Sequence, residues 1–297
     1  MTGAGWLRTV FPFYTAEGAT ALARALERFR GGRLLVNLVD MPIKCPVAPL
    51  EFAFLADWYL HERGIRDRTD LVYVTPLDGA FTKPTASHML SQLLDAKRVE
   101  VVTEFNAGEV DADAGVLRSY DEREERFDLL VTIPLHAGAE CVDRSTGLGD
   151  ASGFIPTDPR SLQSRAAANV FAIGDATNLP TSKAGSVTHF EADTLAENVR
   201  RFVDGEPLEG SYDGHANCFI ETGFGKALLI DFDYDVEPLP GRYPSAQLGP
   251  LPLLRESRAN HLGKLLFQSI YWHALLPGRQ IPGISSQFRG HPTKEHA

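Results

Sequence analysis

The sequence predicts an α/β protein in which a Rossmann-type parallel sheet is followed by a C-terminal α+β region. A buried strand, a loop and a helix follow one another between Arg33 and Arg63, and this is the repeating unit of such a sheet. A second strand-turn-helix pattern runs from Val170 to Val203. From Tyr212 the pattern changes to shorter strands and loops, which indicates an added region.

The composition is that of a globular protein with one large core or two domains. The 297 residues are 43% hydrophobic and 23% charged. The net charge of -10 argues against nucleic acid as a partner, because phosphate binding needs a basic surface. The first residues lack a basic start followed by an apolar core, and no apolar run is long enough to span a bilayer. We therefore expect a cytoplasmic protein.

The N-terminal part is predicted to begin with one helix, one strand and a second helix. Residues Thr15 to Arg30 place Ala and Leu on one helical face and Arg and Glu on the other, and Gly31-Gly32 ends that helix. Arg33 to Val39 is a predicted buried strand, and Leu50 to Arg63 is a predicted helix.

The next stretch continues the alternation. Asp70 to Thr75 and Glu100 to Phe105 are predicted strands, and Thr85 to Ala96 between them is a helix that Thr85 is expected to cap. Val110 to Leu130 alternates apolar and polar residues around polar turns, which predicts a small antiparallel sheet.

The loop after the first strand of this domain departs from a nicotinamide-binding unit. It contains Asp40-Met-Pro-Ile-Lys-Cys-Pro-Val-Ala-Pro49, where Gly-x-Gly-x-x-Gly would be expected. Prolines cannot form the tight glycine turn that lets a pyrophosphate approach the backbone. We therefore expect the architecture without an NAD(P)H site.

The segment Gly174-Asp-Ala-Thr-Asn-Leu-Pro-Thr-Ser-Lys183 is the strongest candidate for a cofactor edge. The strand Val170 to Ile173 is expected to lead into it, and a helix to follow. An ordinary turn in which Asp175 caps that helix is the simpler interpretation of Gly-Asp alone. The longer string resembles the corresponding segment of sulfide:quinone oxidoreductases, which are FAD-dependent flavoproteins with two dinucleotide-binding domains.

This resemblance implies a set of cofactor contacts. Asp175 would lie against the ribityl and phosphate part of FAD, and the following helix would begin beneath the flavin ring. Lys183 and that helix start would put positive charge near flavin N1, where the reduced ring carries its negative charge. The residues implied to bind the cofactor are Gly174, Asp175, Thr181, Lys183 and Ala184.

Two of the three cysteines lie in strings that resemble the same family. Cys45 is followed by a Pro-rich turn, and Lys44 beside it would favour the thiolate. Cys218 ends the string Tyr212-Asp-Gly-His-Ala-Asn-Cys218, and Asp231-Phe-Asp-Tyr-Asp-Val-Glu-Pro238 follows. Cys141 has an acidic neighbourhood, which raises a thiol pKa, and receives no catalytic role.

The resemblance implies a mechanism in which Cys45 and Cys218 form a redox-active disulfide over the flavin. Hydrosulfide would attack the disulfide, leaving a persulfide on Cys218 and a thiolate on Cys45. Electrons would pass through FAD to a membrane quinone, and the sulfur would leave to a thiol or a growing polysulfide. The order of attack at the two cysteines stays open. The histidines and cysteines show no metal-binding spacing, so no metal is expected.

The helical pattern from Asn260 to Leu276 is apolar over most of its surface. A core or dimer helix is one interpretation, and this leaves a homo-oligomer open. The other is a monotopic helix in the membrane interface, flanked by Lys264 and Arg279, with Trp and Tyr at headgroup depth. With the resemblance, the expected location is peripheral, on the inner face of the cell membrane.

The predicted domain organisation is incomplete at the N-terminus. Relatives of this type begin with a strand and a glycine motif for the ADP half of FAD, which we do not find before Thr15; FAD affinity should fall severely without it. A truncated chain, a late start codon or a split protein would each explain this. We expect a remnant of the FAD domain in residues 1–30, an NAD(P)-binding-like domain in 31–140, a return to the FAD domain in 141–210 and a quinone- and membrane-associated region in 211–297.

Two alternatives to a sulfide oxidase remain from the sequence. A type II NADH:quinone dehydrogenase shares the fold and the amphipathic C-terminus, but it needs a glycine motif after Val39, and the prolines there count against it. An inactive chain that keeps the sheet and the membrane surface as an interaction module is the other. Failure of the folded protein to bind FAD would favour that interpretation.

Overall fold

The computed structural model describes residues 5–245, 249–279 and 285–288, and it forms two compact units. The first unit comprises Met1–Ile43, Val47–Leu135 and Ile220–Gly225; the second comprises Lys44–Pro46, His136–Phe219 and Lys226–Ala297. Predictions that concern residues 1–4, 246–248, 280–284 and 289–297 lie outside the described residues. The four predicted domains stay a prediction.

The first unit is built on a five-stranded parallel sheet with the strand order β1-β8-β2-β3-β4. The elements of this unit, in chain order, are β1 (Val10–Phe11), α1 (Ala16–Arg28), β2 (Gly32–Leu38), α2 (Ala48–Glu62), β3 (Thr69–Val74), α3 (Pro84–Ala96), β4 (Val99–Val102), β5 (Ala107–Asp111), β6 (Val116–Ser119), β7 (Glu124–Arg126) and β8 (Leu129–Ile133). The predicted alternation of strands and helices is confirmed within one or two residues at most boundaries.

Local sequence explains the helix that opens this unit. The Thr15 side chain accepts a hydrogen bond from the Gly18 amide at 3.0 Å and so caps α1. Leu22 is buried on its inner face, while Glu and Arg side chains occupy the outer face. A helix capped and patterned in this way is predictable from sequence alone.

The cap predicted for α3 is wrong. The residue that precedes this helix is Lys83, and its side chain makes no capping hydrogen bond. Pro84 takes the first helical position, where its missing N–H costs nothing and its fixed φ is already helical. Thr85 therefore lies inside the first turn.

A three-stranded antiparallel sheet, in the order β5-β6-β7, forms the predicted meander. Its apolar residues pack with one face of the parallel sheet in a core that contains Leu35, Val72, Phe105, Leu117 and Leu130. The strand that follows the meander, β8, lies in the parallel sheet between β1 and β2.

The second unit contains mostly loops, one long helix and short strands. Its elements, in chain order, are α4 (Glu140–Asp143), α5 (Gly185–Asp204), β9 (Ala216–Gly223), β10 (Lys226–Phe232), β11 (Gly241–Tyr243), β12 (Leu251–Leu253) and α6 (Arg258–Ile270). The chain of β9 passes into the first unit at Ile220. Strands β9 and β10 form one two-stranded sheet, and β11 and β12 form another.

The strand predicted from Val170 to Ile173 is not formed. Only Phe171 makes a β-bridge there, with Gln163, and the chain then enters a 3₁₀ turn at Gly174–Ala176. A strand persists where neighbouring strands accept and donate its backbone hydrogen bonds. Among the described residues no strand lies beside this segment to complete such a ladder.

The predicted C-terminal helix is formed, but its winding changes along its length. The α-helix α6 ends at Ile270, and a π-helical turn continues it over Tyr271–Leu275. The Ser257 side chain caps the helix by accepting from the Asn260 amide at 3.0 Å. Among the described helices, none combines the length and hydropathy that crossing a bilayer would require.

Candidate functional site

The loop that contains Cys45 is hydrogen-bonded to the predicted cofactor segment, and both belong to the second unit. Lys44 and Lys183 form a parallel β-bridge, and the Cys45 amide donates to the Lys183 carbonyl oxygen at 2.6 Å. The predicted catalytic cysteine and the predicted cofactor lysine are therefore neighbours, although 138 positions of the sequence separate their numbers.

The backbone of Cys45 is in the left-handed region, with φ of 51°. This conformation costs a residue with a side chain about 1–2 kcal/mol, because Cβ approaches the carbonyl oxygen. Strained residues of this kind persist when surrounding contacts hold them on both sides. Here the bonds of Lys44 and Cys45 to neighbouring segments supply those contacts.

Charged groups surround this turn. The Lys44 ammonium lies 3.9 Å from an Asp175 carboxylate oxygen, and both side chains are about half exposed, so this ion pair contributes little stability. The Lys44 amide donates to Nδ1 of His136 at 2.8 Å. Burial, and secondarily the Lys44 charge, lowers the pKa of His136, whereas Asp175 opposes that shift. The imidazole is therefore neutral at physiological pH.

The Gly174-Asp175 turn requires its glycine. Gly174 has φ of 63°, and a Cβ there would lie 2.5 Å from Oγ1 of Thr188 in α5. Its amide donates to a carboxylate oxygen of Glu191 at 2.6 Å. The turn is thereby fixed against α5, with the Asp175 side chain left half exposed beside Lys44.

Glu191 is a fully buried acid that sequence analysis did not single out. Burial raises its pKa to about 7, against the opposing effects of the Gly174 amide and the Lys183 charge. Its second carboxylate oxygen has no hydrogen-bond partner among the described residues. The sequence contained a signal for this burial, because Glu191 lies four positions after Val187 and next to Phe190 on the buried face of α5.

Lys183 is buried rather than open to solvent. Its ammonium donates a hydrogen bond to the Thr177 carbonyl oxygen and lies 4.2 Å from the ring centroid of Phe154. Burial lowers its pKa. The side chain thus reaches the end of the Gly174–Thr177 turn, where its ammonium is held by the Thr177 carbonyl oxygen and the Phe154 ring.

The two other predicted cofactor residues adjoin the same turn. Oγ1 of Thr181 donates to the Gly214 carbonyl oxygen at 3.2 Å, which connects the cofactor segment to the string that contains Cys218. Ala184 is the N-cap residue of α5 and makes no side-chain capping bond. The first amides of α5 are thus left without a side-chain acceptor from that position.

Cys218 is buried in β9, and a second hydrogen bond ties its strand to the start of α5. The Ser186 hydroxyl donates to the carbonyl oxygen of Asn217, the residue before Cys218, at 2.6 Å. The four residues from Lys183 to Ser186 are therefore bonded to both cysteine-bearing segments. The predicted disulfide is not formed in the structure, where Cys45, Cys141 and Cys218 are thiols and Cys141 is exposed.

A buried histidine-aspartate pair lies beside the Cys218 strand and was also missed. Nε2 of His215 is 2.8 Å from an Asp231 oxygen, which also accepts from the Asn217 amide group at 3.0 Å. The His215 ring stacks on Phe190 with centroids 4.1 Å apart. Both residues lie in the strings already quoted for Cys218 and Asp231, but His215 precedes β9 and Asp231 lies in β10, so their pairing joins two segments of the sequence.

No protein-family model matches the chain. Curated proteins named "Sulfide:quinone oxidoreductase, mitochondrial" do match, at 26% identity over 272 residues in Mus musculus and 30% over 274 residues in Dictyostelium discoideum. These matches cover 89% and 90% of the chain. The predicted resemblance to sulfide:quinone oxidoreductases is confirmed.

The solved structure of the sulfide:quinone oxidoreductase from Aquifex aeolicus has a similar fold, with a TM-score of 0.74 over 93% of this chain at 17% identity. The predicted α/β fold of the two-dinucleotide-domain flavoprotein type is therefore confirmed. The chain spans 59% of the mouse protein, 58% of the Dictyostelium protein and 66% of the Aquifex chain. Among the described residues no group of three or more His, Cys, Asp or Glu could hold a metal ion.

Proposed function

We propose that this chain takes part in the oxidation of sulfide, with FAD as the electron carrier and a membrane quinone as the final acceptor. The observation that carries the proposal is the segment from Lys183 to Ser186, which is hydrogen-bonded to Cys45 on one side and to Asn217, next to Cys218, on the other. The names of the curated relatives support the same activity.

The residues around this segment fit FAD by their chemistry. The first amides of α5 have no intrahelical acceptors, and the positive end of a helix dipole stabilises negative charge. A Cβ at Gly185 would meet no other atom within 4 Å, so the helix begins beside open space. The half-exposed Asp175 carboxylate would accept hydrogen bonds from ribityl hydroxyl groups. The residues proposed to hold FAD are Gly174, Asp175, Thr181, Lys183 and Ala184.

When bound, FAD supplies the two-electron acceptor that protein side chains lack. Lys183 would act on it through its field, because its ammonium is buried and bonded to Thr177.

The sulfur chemistry balances with the two cysteines and a thiol acceptor. Hydrosulfide attacks the disulfide form of the pair: the bond between Cys45 and Cys218 breaks, a new S–S bond forms on Cys218, and Cys45 leaves as a thiolate. An acceptor thiolate then attacks the outer sulfur of the Cys218 persulfide. The S–S bond to Cys218 breaks, Cys218 leaves as a thiolate, and the proton of the persulfide passes to solvent. Re-forming the disulfide from the two thiolates would release two electrons, the pair that FAD would accept if bound at this site.

We propose a peripheral location on the inner face of the cell membrane, and the C-terminal helix supports the peripheral attachment. Apolar side chains on α6 and the following turn are more than half exposed: Leu262, Leu265, Leu266, Trp272 and Leu276. Lys264 lies among them, and Arg279 follows them in the sequence. An apolar surface with basic side chains nearby lies stably in the lipid interface, where a quinone can be reached.

The test is the visible spectrum of the purified chain after incubation with FAD and desalting, and then after anaerobic addition of sulfide. We expect part of the flavin to stay bound, in line with the lowered affinity expected from the sequence, and that bound flavin to bleach with sulfide and recover with a soluble quinone. A folded protein that stays colourless would contradict the proposal and would favour the interaction-module interpretation.

A further inference from the structure

His136 lies against the Cys45 turn, and no role follows for it from the proposed mechanism. It comes three residues after β8 in the sequence, whereas Lys44 precedes it by 92 positions. Its Nδ1 accepts the Lys44 amide at 2.8 Å, and Lys44 is bridged in turn to Lys183. The imidazole is therefore bonded to the residue immediately before the predicted redox cysteine Cys45.

We propose that His136 is a positioning residue that holds the Cys45 turn through the Lys44 amide, and that it releases this turn when the imidazole is protonated. The proposal depends on the proposed function in one respect, namely the redox role of Cys45. The hydrogen bond and its dependence on protonation are properties of the chain itself.

The backbone geometry requires such a residue. Cys45 adopts φ of 51°, which a side-chain-bearing residue avoids unless contacts on both sides fix it. The Cys45 amide is held by the Lys183 carbonyl at 2.6 Å, and the Lys44 amide is held by His136 at 2.8 Å. Two consecutive amides are thus fixed by two different segments, and loss of either bond frees one side of the turn.

The chemistry of imidazole makes the bond dependent on pH. Neutral imidazole with its proton on Nε2 presents a lone pair on Nδ1, whereas the protonated ring carries N–H groups on both nitrogens and cannot accept. The charged groups that act on His136 are Lys44, which disfavours protonation, and Asp175, which favours it. With burial as the largest cause, the pKa of His136 lies below its ordinary value of 6.5, so the bond is kept at neutral pH and lost in acid.

The experiment measures amide hydrogen exchange at Lys44 and alkylation at Cys45 in the full chain, without sulfide or quinone. The variants are His136→Ala, which removes the acceptor, and His136→Asn, whose Oδ1 takes the position of Nδ1 and does not titrate. His88→Ala changes an exposed histidine of α3 and serves as the matched control. Alkylation of Cys141 is the internal standard for thiol reactivity.

In His136→Ala we expect the protection factor of the Lys44 amide to be about three- to tenfold lower than in wild type, which corresponds to the net contribution of one hydrogen bond. Cys45 alkylation should rise relative to Cys141 in the same variant. Wild type should lose the protection as the pH falls through the lowered pKa of His136, and His136→Asn should keep it at every pH tested.

Equal protection of Lys44 in wild type and both variants would overturn the proposal. So would a pH profile in His136→Asn that matches wild type. If His136→Ala fails to fold, wild type and His136→Asn still give opposite expectations in acid. No substrate is used in this experiment. The role of His136 can therefore be refuted while the proposed sulfide oxidation stands, and the sulfide oxidation can be refuted while the role of His136 stands.

Discussion

The amide of Cys45 donates a hydrogen bond to the carbonyl oxygen of Lys183, with 2.6 Å between nitrogen and oxygen. This bond joins the loop after β2 to the segment that begins α5, and Ser186 joins the same segment to the Cys218 strand. The start of α5 therefore lies between the two cysteine-bearing segments. A cofactor bound at that helix start would be within reach of both.

Serine in place of either predicted catalytic cysteine should abolish sulfide-dependent bleaching of bound flavin. An alcohol cannot form the disulfide or the persulfide, so Cys45→Ser and Cys218→Ser each remove one of the two sulfurs that the chemistry needs. Anaerobic spectra after sulfide addition measure the effect. Cys141→Ser is the control, since Cys141 is exposed and outside the site. Full bleaching in Cys45→Ser or Cys218→Ser would refute the cysteine mechanism.

Gly174→Ala should destabilise the protein by about 2–4 kcal/mol, because it combines the strain of a positive φ with a clash. The added Cβ would lie 2.5 Å from Oγ1 of Thr188. Urea unfolding measures the loss. Gly205→Ala is the matched control, since Gly205 has φ of 73° and no atom within 4 Å of an added Cβ, so it carries the backbone strain alone. Equal losses in the two variants would show that the clash with Thr188 is not real.

Glu191→Gln should stabilise the protein at pH 8 by up to about 3 kcal/mol and have little effect below pH 4.5. Burial raises the pKa of this carboxyl from 4.5 to about 7 in the folded chain. The folded state therefore holds a proton that the unfolded chain releases, and stability falls as the pH rises between these two values. Above about 7 the folded chain carries the full penalty of a buried charge. Urea unfolding at several pH values measures the stability difference between the variant and wild type. A gain independent of pH would contradict the burial of an ionised Glu191.

Leu266→Lys and Trp272→Ala should each weaken binding to lipid vesicles by several-fold, because both remove apolar surface that would enter the interface. Both side chains are more than half exposed on the C-terminal helix and the following turn. Co-sedimentation with vesicles measures the bound fraction. Tyr120→Ala removes an exposed aromatic residue of the first unit and is the matched control. If Leu266→Lys and Trp272→Ala bind vesicles as well as Tyr120→Ala and the wild type do, the proposed membrane location is wrong.

Local patterns predicted most of the first unit. The cap and the amphipathic face specify α1, the apolar run specifies β2, and alternation around polar turns specifies the meander. Each of these signals lies within one element, so no distant partner is needed to recognise it. The prediction of a strand from Val170 to Ile173 was wrong, because a strand depends on distant partners. An apolar run forms a strand only when other strands complete its hydrogen bonds.

The site was predictable in its residue types but not in its contacts. Proline and glycine strings marked the segments of Cys45 and Gly174, whereas the bond from Lys44 to His136 joins positions 92 apart. The positive φ of Cys45 and the burial of Glu191 arise from packing between such segments. The positive φ of Cys45 leaves no mark in the neighbouring sequence, and the apolar face around Glu191 indicates its burial but not its bond to the Gly174 amide.

The most direct test of the central claim is to oxidise the purified chain mildly at neutral pH and to map its disulfides by peptide mass spectrometry. Our account predicts an intramolecular bridge between Cys45 and Cys218, with Cys141 still available to an alkylating reagent. That bridge should be reduced by sulfide, with one extra sulfur retained on a cysteine. A bridge that includes Cys141, or failure of Cys45 and Cys218 to pair, would contradict the account.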